Sequence, residues 1–135
     1  MNSGINSLNV RKASFLQALS TLEPDLAPAL LFDFNAEYAV GAIKIAIADG
    51  FWERHQGGDE ILIVLQGKME FTLRSGDVDE TVWVEAGDIL HIPQGIAHGA
   101  KVHETVHLLF FTPKAQNQAW TEEGVTNDKA IARHA

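Results

Sequence analysis

From residue 51 to residue 111 the chain leaves no room for a helix between its turns. Gly58, Gly67, Gly76, Gly87 and Gly95 punctuate this stretch at intervals of 8 to 11 residues. Short apolar runs lie between them. In one, Met69, Phe71 and Leu73 alternate with Glu70, Thr72 and Arg74, as on a half-buried strand. Strands this short, separated by turns this regular, build an antiparallel sandwich or barrel. A doubly wound α/β fold would need helices between the strands, and none fits.

The expected strands cover residues 38–48, 51–56, 60–66, 68–74, 81–84, 89–92, 100–102 and 105–111. Ahead of them, residues 14–22 form a short helix with Ser14 as cap, and Pro24 ends it. Residues 24–34 read as an irregular lead-in, with an edge strand or a helical turn. The tail from Pro113 is polar, anchored by Trp120, Val125 and Ile131, with a weak helix over 127–134. The expected organisation is a lead-in over 1–35, one β domain over 36–112 and a tail over 113–135.

Composition removes several classes of function. The chain has no cysteine, which excludes disulfides, thiolate metal sites and cysteine nucleophiles. Its formal charge of -8 argues against a nucleic-acid partner, because phosphate binding needs concentrated Lys and Arg. No apolar run of membrane-spanning length is present and the first residues show no secretory pattern, so a cytoplasmic protein is expected. Neither a phosphate-binding nor a dinucleotide glycine fingerprint occurs, and no Gly-x-Ser-x-Gly element.

One stretch carries metal-binding chemistry. Glu53 and His55 are two apart, so on a strand they leave the same face. The Gly57-Gly58 turn then lets Glu60 open the next strand, bringing three ligand-capable groups towards one point. A second stretch holds Gly87, Pro93, Gln94 and Gly95, and His98 follows that bend at the start of another strand.

These two stretches resemble the two motifs of the cupin superfamily, small β-barrels of the jelly-roll type. Glu53-Arg54-His55, Glu60 and Gly67 stand where the first motif has its His-x-His pair, its Glu and its Gly. Gly87, Pro93, Gln94, Gly95 and His98 match the second motif throughout, and the resemblance covers roughly residues 40–111. It implies an all-β, cupin-type jelly-roll β-barrel, and a divalent metal held by His55, Glu60 and His98, with Glu53 in the place of the first histidine. Two His and two Glu would bring the net charge of a bound M²⁺ to about zero, which favours Fe²⁺ or Mn²⁺, with Zn²⁺ or Ni²⁺ also able to bind. The alternatives are a His55, Glu60, His98 triad with Glu53 beside it, either supporting the ligands or acting as a catalytic base, and a cupin that has lost its metal.

The other polar residues divide as follows. Asp59 is expected in solvent, His91 on either face, His103 outward and His134 exposed in the tail. His107 is a second candidate catalytic residue, lining the cavity near the metal. Phe51, Leu62, Val64, Met69, Phe71 and Leu73 share faces with the ligands and should wall the site, and Trp83 is expected in the core. Ile61, Ile63 and Leu65 make the opposite face apolar too, so that face needs the other sheet or a second subunit, which fits a homodimer. The expected function is a metal-dependent enzyme on a small organic molecule. An Fe(II)-type dioxygenase comes first, with a metal-dependent isomerase or lyase and a non-catalytic sensor as alternatives.

Overall fold

The structure is a computed structural model that describes residues 9–24 and 27–122. Helix α1 (Phe15–Thr21) starts where Ser14 Oγ accepts a hydrogen bond from the Gln17 amide at 3.1 Å, as the sequence predicts. It presents Leu19, 4% exposed, to the outer face of strands β1 (Ala29–Asp33) and β2 (Tyr38–Ile45). Of the two readings of the lead-in, the edge strand is the one adopted. Strands β3 (Phe51–His55), β4 (Glu60–Ser75), β5 (Val78–Glu85), β6 (Ile89–Ile92), β7 (Ala97–Pro113) and β8 (Asn117–Thr121) complete the chain.

β4 and β7 organise everything else. They are 16 and 17 residues long, antiparallel, and paired from end to end. The register slips between Val64 and Met69, where a bulge bends both strands. At this bend Gly67 adopts φ 95°, and a Cβ there would stand 2.2 Å from the Thr105 carbonyl oxygen. No other residue fits. The sequence places strand breaks at Gly67 and near Glu104. The ladder instead runs through both, because a bulge absorbs the corner without ending the pairing.

Each long strand therefore serves two stretches of sheet. The first half of β4 and the second half of β7 pair with β6 and with β2, which carries β1 at its far side. The remaining halves pair with β5 and with β3, which carries β8. The two stretches curl around one core built from Ile43, Leu62, Val64, Met69, Phe71, Val106, Leu108 and Phe110. Burial of these side chains from both stretches is what holds the curl.

Two expectations need correction. Among the described residues β1, β5, β6 and β8 each have a single strand partner, so the curled sheet has free margins. It is an open half-barrel and not a closed jelly-roll barrel. The start of the tail joins the sheet: Asn117–Thr121 is a strand paired along the whole of β3. Trp83 is not in the core. It is 65% exposed on the outer face of β5, its ring 4.8 Å from that of His103. The expected helix over 127–134, with Val125 and Ile131, lies outside the described residues.

Candidate metal centre

The site is assembled by two turns that lock together. In the first, after β3, the chain turns at Gly57, where a Cβ would meet the Ala115 carbonyl oxygen at 2.6 Å. In the second, between β6 and β7, the Gly95 amide donates to the His55 carbonyl at 2.8 Å and Gln94 Nε2 donates to the Gln56 carbonyl at 2.7 Å. Asp59 ties them again: its Oδ1 accepts from the Gln94 amide at 2.8 Å, and its Oδ2 lies 2.8 Å from His91 Nε2. The His91 contact and then the Gln94 amide hold the Asp59 carboxyl below the usual carboxylate range. Asp59 and His91 are thus exposed structural partners at the rim, on the outside of the cluster.

With the turns joined, β3 and β7 pair Glu53 against His98. Alternation along β3 sends Phe51, Glu53 and His55 inward together. His55, Glu60 and His98 are 5%, 6% and 5% exposed. His55 Nε2 lies 3.1 Å from Glu60 Oε1, while His98 Nε2 lies 3.5 Å from Glu60 Oε1 and 3.5 Å from Glu53 Oε1. One ligand atom from each of Glu53, His55 and His98 falls within 4.8 Å of the other two. Glu60 reaches both histidines but does not complete a fourth mutual set at that spacing. The rings of His55 and His98 stand 5.2 Å apart, and Phe71 stacks on His98 at 5.5 Å.

The protonation of His55 can be read from its partners. Asn117 Nδ2 donates to the Pro113 carbonyl at 2.9 Å, which leaves its Oδ1 to face His55 Nδ1 at 2.8 Å. Oδ1 only accepts, so Nδ1 carries the proton. Nε2 then meets the Glu60 carboxylate with a lone pair, unless a second proton or a metal cation stands there. Apart from this contact neither atom has a partner, and His98 Nδ1 is a second buried nitrogen without one. Two carboxylates and two imidazoles this buried are costly without positive charge among them. The same electrostatics act on the His55 pKa. Burial lowers it, but the hydrogen bond and charge of Glu60, the charge of Glu53 and the Asn117 bond outweigh this and raise it to about 9. A divalent ion satisfies the same demand, and the donor set of imidazole nitrogens and carboxylate oxygens suits one.

The cluster opens into a cavity of about 310 Å³. Leu62, Met69, Phe71, Leu108 and Phe110 form its apolar wall. His107 is not part of it. On β7, Val106, Leu108 and Phe110 are buried inward, so His107 takes the opposite face beside Lys44, where burial and then the Lys44 charge lower its pKa. The candidate catalytic role expected for His107 is corrected accordingly. His103 points outward as expected and pairs with Glu70 at 2.8 Å. His134 lies outside the described residues. Asn117 went unnoticed in the sequence because it falls in the polar tail. The alternation of Asn117, Ala119 and Thr121 with Gln118 and Trp120 was the available signal.

Comparison with known proteins agrees with this geometry. No curated protein matches the chain in sequence. Among solved structures, a cupin-2 domain protein from Shewanella frigidimarina superposes with a TM-score of 0.62 at 20% identity, over 83% of this chain and 100% of that one. Hydroquinone 1,2-dioxygenase from Sphingomonas sp. TTNP3 superposes with a TM-score of 0.61 at 14% identity, over 76% of this chain and 74% of that one. A mutant of the Bacillus subtilis oxalate decarboxylase gives a TM-score of 0.51 at 18% identity, over 63% of this chain and 24% of that one. At these identities the likeness concerns the fold. The family model for the cupin domain matches residues 36–112, and with both motif turns and their inward-facing ligand groups in place, this chain belongs to the cupin family.

Proposed function

We propose that this protein holds a divalent metal ion through Glu53, His55, Glu60 and His98 and acts on a small, largely apolar organic molecule in the adjoining cavity. The observation that carries the reading is the buried face-to-face approach of His55 Nε2 and Glu60 Oε1 at 3.1 Å, with Nδ1 already committed to Asn117. When bound, the ion would supply Lewis acidity and, as Fe²⁺, redox chemistry with O₂. The two carboxylates favour Fe²⁺ or Mn²⁺. Phe71, Met69 and Phe110 keep water from the site and suit an apolar substrate.

Within this reading an Fe(II)-type dioxygenase is the reaction class we favour. Its support is the ligand set beside an apolar cavity, together with the fold shared with a hydroquinone dioxygenase. A metal-dependent isomerase or lyase is favoured instead by one feature of Glu53. Its side chain is 18% exposed against 7% for Glu60, so it stands nearer the cavity opening, where it can take a substrate proton. Oxygen uptake by the Fe²⁺-loaded protein with diketones, diols and aromatic diols separates the two. Uptake with any of them supports the dioxygenase, and stoichiometric iron with no uptake sinks it in favour of proton-transfer chemistry. A homodimer belongs to the same proposal, since Ile61, Ile63 and Leu109 on the outer face are only half-buried and Ile89 beside them is 65% exposed. Sedimentation should then give twice the 14.8 kDa chain mass.

A further inference from the structure

The inward face of the second sheet stretch has a gap beside the metal cluster. The β4–β7 register pairs Phe71 with Ala100 and Met69 with Val102. On the other side β3 and β7 pair Trp52 with Gly99, and Phe51 and Ala100 come next along that ladder. Neighbouring strands lie about 4.8 Å apart, so the single methyl of Ala100 stands between two phenylalanines, one on either hand. All three residues line the cavity. Phe51 and Phe71 are 6% and 5% exposed, whereas Ala100 is only half-buried although it faces inward. His98 precedes Ala100 by two on the same face, which puts the gap about 6.6 Å along β7 from the cluster. One step further on, Val102 is not part of the cavity wall, and neither are Val64 and Val106 on the facing halves of the long strands. The space therefore ends just past Ala100.

We propose that Ala100 determines the ligand class of this cavity: the room left by its small side chain, between Phe51 and Phe71, takes one aromatic ring whose polar substituent is turned to the cluster at His98 and Glu53. A ring in that place meets aromatic side chains on two sides and Leu62, Leu108 and Phe110 across the cavity. Aromatic pairs gain free energy beyond the area they bury, so an aromatic ring is favoured there over a saturated ring of the same size. The cavity volume of about 310 Å³ lies at the lower end of the range for ligand pockets, which suits one ring and not two. A bulkier side chain at position 100 would stand where the ring lies. This inference rests on the cavity being the substrate site of the metal-dependent protein proposed above.

Benzamide and cyclohexanecarboxamide are suitable probes, because they differ only in the ring and, being neutral, are not repelled by the two carboxylates of the cluster. Wild-type, Ala100→Val and Phe51→Leu proteins would be loaded with Co²⁺ and assayed for cobalt content and for folding by circular dichroism. Each would then be titrated with both probes by ligand-observed NMR, in which a nearby Co²⁺ broadens the ring protons. Wild type should prefer benzamide by about fivefold, the worth of the ring–ring contacts. Ala100→Val should hold the same cobalt and bind benzamide about tenfold more weakly or worse, as for extra methyl groups in a filled pocket. Phe51→Leu should keep the cobalt while the preference for benzamide falls to about twofold. A cobalt-loaded wild type that binds both probes equally, or neither, overturns the proposal and leaves the metal reading standing. A folded Ala100→Val with wild-type affinity for benzamide overturns it as well. If Ala100→Val does not fold, Phe51→Leu decides, and a preference that persists in full there overturns the proposal. A wild type that takes up no cobalt overturns the metal reading, and this inference with it.

Discussion

His55 Nε2 and Glu60 Oε1 stand 3.1 Å apart in the core of the protein, while His55 Nδ1 is held 2.8 Å from Asn117 Oδ1. The strand carrying Asn117 thereby decides what the His55–Glu60 pair can hold. With Nδ1 committed, Nε2 is turned to Glu60, and either a proton or a divalent ion between the two groups would satisfy both. Removing the Asn117 amide should therefore weaken metal binding without touching a ligand. Asn117→Leu is expected to lower Mn²⁺ affinity by about 10- to 100-fold, the usual cost of losing the partner that orients a metal-binding histidine. Titration calorimetry against wild type measures this, and unchanged affinity would remove Asn117 from the account.

The raised His55 pKa gives the metal-free protein a distinctive pH dependence. Folding moves the group from 6.5 to about 9, so the folded state binds the proton more tightly than the unfolded chain. The stabilisation is fully present below pH 6.5 and is lost as pH rises towards about 9. Its size is on the order of 3 to 4 kcal/mol at most, from the shift and ~1.4 kcal/mol per unit. Urea unfolding of metal-free protein across this range should show the decline, and His55→Ala should abolish it. Metal must displace the same proton, so Mn²⁺ affinity should rise about tenfold per pH unit over that range.

Gly67 tests the corner of the two long strands. An added methyl would strike the Thr105 carbonyl and force φ out of 95°. Gly67→Ala should cost more than about 2 kcal/mol in urea unfolding, since steric conflict adds to backbone strain. A variant as stable as wild type would mean that the corner can move.

Two of the tryptophans on the outer face of the second sheet stretch should behave differently. Trp52 is 7% exposed, donates from Nε1 to Glu122 Oε1 at 2.8 Å and lies under the Arg74 guanidinium at 3.9 Å. Trp52→Ala should cost about 3 kcal/mol or more. Trp83 has a ring contact with His103 but remains largely in solvent, so Trp83→Ala should cost less than about 1 kcal/mol. Thermal unfolding of both variants checks the contrast.

What could be read in the sequence was what local chemistry dictates. Turn glycines and alternation place Glu53 and His55 on one face, and the Pro93–Gly95 bend fixes where the strand with His98 begins. Features set by partners far along the chain were hidden. Trp83 reads as core, yet it lies opposite Glu70 on an outer face that nothing covers among the described residues. His107 reads as a cavity residue by proximity to His98, but the slip at the β4–β7 bend governs the strand beyond it. Asn117 reads as tail, because a polar strand is recognisable only when its partner, here β3, is in view. The closed barrel was expected from the family resemblance, and the pairing of margin strands is not written in any local pattern.

A cation held between His55, Glu60, Glu53 and His98 is what the proposed function requires. The most direct measurement is elemental analysis of protein purified without a nickel column, followed by Mn²⁺ titration of stripped wild type, His55→Ala and Glu60→Ala. The prediction is close to one ion per chain in wild type and its loss in both variants, with folding retained by circular dichroism. A folded wild type that takes up no ion, or variants that keep it at full affinity, would contradict the account.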